Sequence, residues 1–243
     1  MIRALLAALA FAAGAPLAKA EPSVPAQAPQ PVSASAAALA EVVVPADRFT
    51  EIEVSVTRQG LIAAFTQELG ADWQTQYPDL LEAIWKDTEP ELRRLSARNR
   101  PMLMQRLAAL YTARLTESET TTLAAFYRSP TGQKMIRVMY EQADYSPMVK
   151  DMLAHDRGEV SAQALRATHE SGKARLFEQL SEADKTALVE LARTLPIAKM
   201  RAVGAEVQRL TVEWINEPDP EMEASIERVM AAATERYFEE HPR

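Results

Sequence analysis

The sequence predicts an all-α protein. Only seven of its 243 residues are glycine, and the helix-favouring residues alanine, leucine, glutamate and arginine are abundant. From residue 47 to residue 240, capping residues are followed by apolar positions spaced three and four apart, which is typical of amphipathic helices. Strand-like alternation occurs only at Ile52, Val54 and Val56. We therefore expect a helical bundle or an array of helical hairpins.

The first twenty residues have the pattern of a secretory signal peptide. Arg3 supplies a positive charge, an apolar run spans 4–13, and Ala18-Lys19-Ala20 fits the small-x-small cleavage pattern. The apolar run is about half of the roughly 20 residues that a membrane-spanning helix needs. We expect cleavage after Ala20, export to the periplasm, and no stable membrane anchor after cleavage.

The composition argues against several classes of function. Removal of residues 1–20 takes away Arg3 and Lys19 and no acidic residue, so the net charge of −7 becomes −9. A negative chain is repelled by phosphate backbones and anionic lipid, so nucleic acid is not an expected partner. The sequence has no cysteine, which leaves no disulfide framework and no thiolate metal site.

Residues 21–46 are predicted to be a disordered linker. Prolines at positions 22, 25, 29, 31 and 45 interrupt helix and sheet ladders and favour an extended, solvated chain. A transient helix over 33–44 is the only regular structure that the stretch suggests.

After the linker we expect a first helical unit over 47–145, a second and degenerate unit over 146–216, and a C-terminal helix over 217–243. In the first unit, helix starts are expected at Asp47, Asp79 and Pro90, and Pro101 is expected to break or kink a helix or to begin a new one. Later starts are marked by Ser146, Ser161, Ser181 with Asp184, Pro196, and Asp219 with Pro220.

The hairpin over 115–139 has the clearest local signals. Thr116 and Glu119 have the spacing of a capping box, in which each side chain binds the other residue's amide. Ser129 can cap the helix that begins at Pro130, because proline at the first helical position loses no needed hydrogen bond. Gly132 would allow close approach of a neighbouring helix.

A diverged copy of this hairpin recurs 65 residues later. Residues 115–139 and 180–204 share eight identities in 25 positions, including Lys134 with Lys199. We interpret the two segments as a duplication; the alternative is two unrelated hairpins with similar caps. The copy has Ala192 in place of Tyr127 and does not keep the Ser-Pro-Thr-Gly turn, so any special role of that turn belongs to the first segment.

The segment LTESETTTLAAFYRSPTGQKM, with helical pairs around it and a signal peptide before it, resembles the exported bacterial proteins of domain-of-unknown-function family 2059. The family hallmark F-Y-x-S-P-x-G-x-K is matched by Phe126, Tyr127, Ser129, Pro130, Gly132 and Lys134. The resemblance implies an all-α periplasmic domain from a Gram-negative bacterium. It implies no activity and carries over no catalytic residue.

Catalytic and metal-binding patterns are missing from the sequence. We find no histidine pair at metal-ligand spacing, nucleophile elbow or phosphate-binding loop, so we predict no enzyme, cofactor or metal site. One alternative is that Met148, Met152 and His155, which share a helical face, bind Cu(I). The other is that these side chains fill the core, as methionine does readily.

Tyr127 also allows two interpretations. Its hydroxyl could anchor the Ser-Pro turn, or Tyr127, Arg128 and Lys134 could border a groove for a partner segment. The leading functional hypothesis is a non-catalytic interaction or scaffold module with a protein partner. The alternative is a ligand carrier or chaperone-like binder with a methionine-rich apolar groove.

Overall fold

The computed structural model describes residues 31–155 and 158–242. Within these residues eleven α-helices occur and no strand, so the all-α prediction is confirmed, and the strand-like stretch 52–56 is helical. The helices, in chain order, are α1 Ala34–Val43, α2 Ala46–Leu69, α3 Trp73–Gln76, α4 Leu80–Arg114, α5 Glu117–Arg128, α6 Pro130–Glu141, α7 Ser146–Ala154, α8 Ala162–Gln179, α9 Glu182–Thr194, α10 Ile197–Ile215 and α11 Pro220–Glu240. The predicted signal peptide 1–20 and linker residues 21–30 lie outside the described residues. None of the described helices is long and apolar enough to cross a membrane.

Helix α4 is the axis of the fold. It is 35 residues long and contributes side chains to both large apolar clusters. Its N-terminal half packs with α2 and α11 in a cluster that contains Phe65, Ile84 and Tyr237. Its C-terminal half packs with α1, α5 and α10 in a cluster that contains Leu107 and Val203. The apolar clusters therefore cross the boundaries of the three predicted units.

Two prolines lie inside α4, so the prediction that they begin or break helices is wrong. Each of Pro90 and Pro101 removes one backbone hydrogen bond, which costs about 3 kcal/mol in an exposed helix. Packing around the prolines offsets this cost, because Leu92, Leu95 and Leu103 are at most 4% exposed. Tertiary burial thus overrides the local signal of proline.

Helix α1 corrects the prediction of a disordered linker over 21–46 for its described part, residues 31–46. The Ser33 hydroxyl accepts a hydrogen bond from the Ala36 amide at 3.2 Å and caps the helix. Ala36, Leu39 and Ala40 are at most 1% exposed because they pack against α4 and α5. Three small or apolar residues at helical spacing give this short segment a buried face, which the proline content of the stretch had concealed.

Both ends of α1 are anchored to the rest of the fold. The Ser33 amide donates to Thr112 Oγ1 at 3.1 Å. At the other end, Arg100 donates to the Val44 carbonyl at 2.7 Å, and the Tyr140 hydroxyl donates to the Val43 carbonyl at 3.0 Å. These donors satisfy carbonyls that a helix C-terminus leaves without an intrahelical partner.

Three predicted caps are also wrong in detail. Asp47 lies in the first turn of α2, which already begins at Ala46. Asp79 precedes α4 but has a left-handed φ of 62° and makes no capping hydrogen bond. Ser146 is the first residue of α7, and its amide donates to Asp144 Oδ1 at 2.9 Å.

The predicted helix starts after Ser146 are confirmed. Ser161, Ser181 and Asp219 each accept a hydrogen bond from the amide three residues further on, and Pro196 directly precedes α10. Side-chain caps of this kind are local, so they can be predicted from short sequence patterns.

Glu53 carries a buried carboxyl on α2, which should make the stability of the fold depend on pH. Its Oε2 atom is buried without a hydrogen-bond partner among the described residues. Burial raises the pKa of Glu53 to about 7, and the Ser96 hydroxyl offsets this only in part. A carboxyl whose pKa is higher in the folded than in the unfolded chain destabilises the fold as pH rises from about 4.5 to about 7. We expect Glu53→Gln to raise the melting temperature at pH 8 and to change it little at pH 4.5.

Glu51→Gln is the matched control for this measurement. Glu51 lies on the same helix but is exposed and pairs with Arg93, which lowers the pKa of that carboxyl. Its substitution should bring no gain in melting temperature at pH 8. An equal effect of Glu53→Gln at both pH values would contradict the prediction.

Candidate functional site

The motif hairpin, α5 with α6, begins with the predicted capping box. The Glu119 amide donates to Thr116 Oγ1 at 3.2 Å, and the Thr116 amide donates to Glu119 Oε2 at 2.7 Å. Both amides lie at the start of α5, where the helix itself offers no acceptor. The capping-box prediction is confirmed.

The Ser-Pro turn between α5 and α6 also has the predicted form. Ser129 is extended, with φ −68° and ψ 162°, and its hydroxyl accepts from the Gly132 amide at 3.2 Å. The same hydroxyl donates to the Phe126 carbonyl at 2.6 Å. One serine thus closes α5 and opens α6, while Pro130 occupies the first position of α6.

Gly132 explains why the two helices of the motif can meet at so short a turn. A Cβ atom at this position would lie 2.2 Å from the Phe126 carbonyl oxygen and 2.5 Å from Tyr127 Cα. These are backbone atoms of α5, which cannot move aside as a flexible side chain can. In the second segment Ile197 occupies the equivalent place, and α9 and α10 pack less closely than α5 and α6.

Tyr127 is part of the apolar packing around α1. Its ring is half-buried beside that cluster and lies edge-on to Phe126, with ring centres 5.5 Å apart. Burial raises the pKa of the Tyr127 phenol. The contact that ties Tyr127 to the turn is made by its carbonyl, which accepts from Gln133 Nε2 at 2.7 Å. Tyr127 and Lys134 therefore have different partners.

Lys134, the last residue of the motif, contacts the second hairpin. Its ammonium group donates to Asp184 Oδ2 at 2.8 Å and to the Gln179 carbonyl. Thr131 Oγ1 donates to the other carboxylate oxygen of Asp184 at 2.8 Å. Asp184 is also the capping-box partner of Ser181, whose amide and hydroxyl both donate to it. The motif of the first hairpin thus binds the helix cap of the second.

The reverse contact is present as well. Lys199 of α10 donates to Glu119 Oε2 at 2.5 Å, and Glu119 is the capping-box residue of the first hairpin. The 65-residue shift equates Lys134 with Lys199 and Glu119 with Asp184. Each hairpin therefore supplies a lysine to the capping carboxylate of the other. We call these two contacts the reciprocal lysine pairs.

The apolar side chains around the reciprocal lysine pairs also pack between the two units. Two residues of α6 lie in one cluster with three residues from α8, the α8–α9 connection and α9: Met135 and Val138 with Leu176, Leu180 and Leu188. Their equivalents under the shift lie together in the cluster that holds α1: Met200 and Val203 with Tyr111, Leu115 and Leu123. We call α4, α5 and α6 the first hairpin unit and α8, α9 and α10 the second. The third helix of each unit packs against the first two helices of the other, an arrangement with approximate two-fold character.

Both capping carboxylates are strongly held in the charged form. Lys134, followed by Ser181 and Thr131, lowers the pKa of Asp184 well below its usual range. Lys199 and the Thr116 amide lower the pKa of Glu119. Because a carboxylate accepts hydrogen bonds only, several donors around one carboxylate favour its ionised form. The pairs should therefore persist throughout the neutral pH range.

The sequence predicts Glu119 and Asp184 as capping residues but does not reveal the reciprocal lysine pairs. The available signal was that the 65-residue shift keeps a lysine at positions 134 and 199 and an acidic residue at positions 119 and 184. A residue alignment alone does not say that equivalent side chains meet across two units, so the contact had to be seen in the fold.

The methionine and histidine face on α7 has the surroundings of a core. Met148 and Met152 lie in an apolar cluster with Val160 and Leu165. His155 is exposed, and its Nδ1 atom lies 2.8 Å from the Asp151 carbonyl oxygen. Within the described residues, no group of three or more histidine and acidic side chains is placed to hold a metal ion.

The second hairpin unit has a face that no other part of the described chain covers. Phe177 on α8 is 69% exposed and Val189 on α9 is 50% exposed. Helices α4 and α8 end at positions that the 65-residue shift equates, so the shift can be extended upstream to place Phe177 at Thr112 and Val189 at Ala124. Ala124 is only 2% exposed because it packs in the cluster that includes α1.

We call this surface of α8 and α9 the uncovered face. It comprises Lys173, Phe177, Lys185, Val189 and Ala192, all of which are exposed. The sequence did not reveal this face. In the first unit the equivalent face is covered by α1, and α1 lies in a stretch that was predicted to be disordered.

The comparison with protein families gives one match. Residues 102–147 match the model of a family described as "Uncharacterized protein conserved in bacteria (DUF2059)". The match includes the end of α4, both helices of the motif hairpin and all six motif residues, and it confirms the predicted resemblance. No curated protein and no solved structure matches the chain.

The turn geometry predicts opposite effects for two glycine substitutions. Gly132→Ala should destabilise the fold by about 1–3 kcal/mol, because the added methyl group would overlap the backbone of α5. Gly204→Ala on α10 is the matched control, since a Cβ atom there would meet no atom within 4 Å. It should stabilise the fold by about 0.5–1 kcal/mol. Denaturant unfolding measures both; effects of the same sign would show that Gly132 has no steric role.

Proposed function

We propose that this chain is an exported, non-catalytic interaction module of the periplasm. The observation that carries the proposal is the difference between the two hairpins. The motif residues of the first hairpin take part in capping, close packing and the reciprocal lysine pairs, so their roles are structural. The second leaves two large apolar side chains, Phe177 and Val189, at the surface. Their equivalents in the first unit, Thr112 and Ala124, lie against α1, so these positions are placed where a helix can pack.

We infer further that the two hairpins arose by duplication. The equivalent helix ends, the reciprocal lysine pairs and the equivalent apolar clusters support this inference, since unrelated hairpins have no reason to exchange contacts so regularly. After duplication the first copy retained a tight turn, and α1 packs over its outer face. The second copy diverged at those same places, which left its outer face free to take a partner.

Export is supported by the leader-like pattern at residues 1–20. The negative charge that remains after cleavage favours a protein partner over nucleic acid.

The carrier alternative is less well supported by the position of the methionines. Seven of the ten methionines are divided among four apolar clusters instead of lining one groove: Met104 and Met200 in the first, Met222 and Met230 in the second, Met148 and Met152 in the third, and Met135 in the fourth. A binder that uses methionine for an adaptable surface would present these side chains together.

The proposal predicts site-specific crosslinking in living cells. A photoreactive phenylalanine analogue at position 177 of the full chain should yield a discrete adduct with another protein of the cell envelope. Position 102 is the matched control, because Met102 on α4 is 51% exposed but lies outside the uncovered face. Adducts at 102 as strong as those at 177, or none at 177 and 189, would contradict the proposal.

A further inference from the structure

Helix α1 shows what kind of element the outer face of a hairpin unit can bind. It is ten residues long, and the side chains it buries are Ala36, Leu39 and Ala40. These residues lie at i, i+3 and i+4, so they form one narrow apolar side of the helix. They pack in one cluster with Ala108 and Ala124 of the first unit. A short helix with small apolar residues is therefore sufficient to cover this face.

The uncovered face of the second unit has larger apolar side chains at the equivalent places. Thr112, which accepts a hydrogen bond from the Ser33 amide, is replaced by Phe177. Ala124 is replaced by Val189. A surface that faced only water would gain nothing from these replacements, because each adds exposed apolar area.

Charge distinguishes the two faces as well. Ala108 and Thr120 are at most 3% exposed in the first unit, and their equivalents in the second unit are Lys173 and Lys185. The lysine side chains are 46% and 54% exposed. Each pairs with a glutamate three residues earlier on its own helix, at 2.6 Å. Such surface pairs contribute little, so both ammonium groups can exchange these partners for a carboxylate of a bound molecule.

We propose that the uncovered face binds a short helix of a partner protein, apolar on one side like α1 and acidic where it meets Lys173 and Lys185. This inference rests on the proposed interaction function and specifies the partner's chemistry. The chain's own α1 does not fill the place, because it is anchored at both ends in the first unit. Recognition follows the helix-in-groove mode, with apolar contacts for affinity and two charges for orientation.

A pair of synthetic helical peptides tests the proposal on the mature chain. Both peptides carry the apolar positions of α1; one has glutamate and the other lysine at the flanking positions. Fluorescence anisotropy should show that the glutamate peptide binds more tightly than the lysine peptide by about tenfold, which corresponds to about 1.4 kcal/mol for two exposed charge contacts.

Protein variants assign the binding to the uncovered face. Phe177→Ser with Val189→Ser should abolish binding of the glutamate peptide, and Lys173→Glu with Lys185→Glu should reverse the preference between peptides. Met102→Ser should leave binding unchanged. Because all the substituted side chains are exposed, circular dichroism should show folded variants throughout.

Three results would overturn the inference. One is equal affinity for the two peptides, and another is binding that survives the double serine substitution. The third is a concentration-dependent dimer that the double serine substitution abolishes, since it would make a second copy of the chain the occupant. If neither peptide binds but crosslinking from position 177 still captures a protein, the helix assignment fails while the interaction function stands.

Discussion

The arrangement of the two hairpins depends on the reciprocal lysine pairs. A capping box normally involves only groups at the start of one helix, which it stabilises. Here each capping carboxylate, Glu119 and Asp184, accepts a second donor from the opposite unit, so the start of α5 and the start of α9 are fixed by residues 80 and 50 positions away. The apolar clusters around the pairs follow the same exchange. Local helix capping and long-range assembly thus use the same atoms, which ties the formation of each helix to the docking of its partner unit.

The two units differ in the geometry of their turns and in whether their outer faces are covered. Gly132 permits a tight turn in the first unit, where α1 covers the outer face. In the second unit Ile197 occupies the equivalent position, and α9 and α10 pack less closely. Helix α4 extends beyond the first unit to join α2 and α11, so the approximate two-fold arrangement is embedded in a larger asymmetric core. The second unit is left with an exposed outer face. The motif of the first hairpin is engaged in capping and close packing, while Phe177 and Val189 of the second unit are exposed.

Local chemistry determined which features the sequence could predict. The capping boxes, the Ser129–Pro130 turn and the start of α11 depend on side chains within four residues of each other, and the structure has them as predicted. Asp47, Asp79 and Ser146 miss the predicted cap by one or two residues or by their local backbone geometry, and the larger failures are cases in which distant packing outweighed a local signal. Pro90 and Pro101 remain inside α4 because neighbouring helices bury its leucines, and α1 is ordered because Arg100, Thr112 and Tyr140 hold its ends. The uncovered face could not be predicted for the same reason, since exposure depends on where α1 packs.

Hydrogen exchange on lysine variants tests most directly whether the reciprocal lysine pairs couple the two units. Lys134→Met removes a donor from Asp184, so this account predicts faster amide exchange at the start of α9, in the opposite unit; Lys199→Met should do the same at the start of α5. Lys185→Met is the control, because Lys185 pairs only with Glu182 within α9, and it should leave α5 unchanged. Faster exchange confined to α6 in Lys134→Met and to α10 in Lys199→Met would contradict the account.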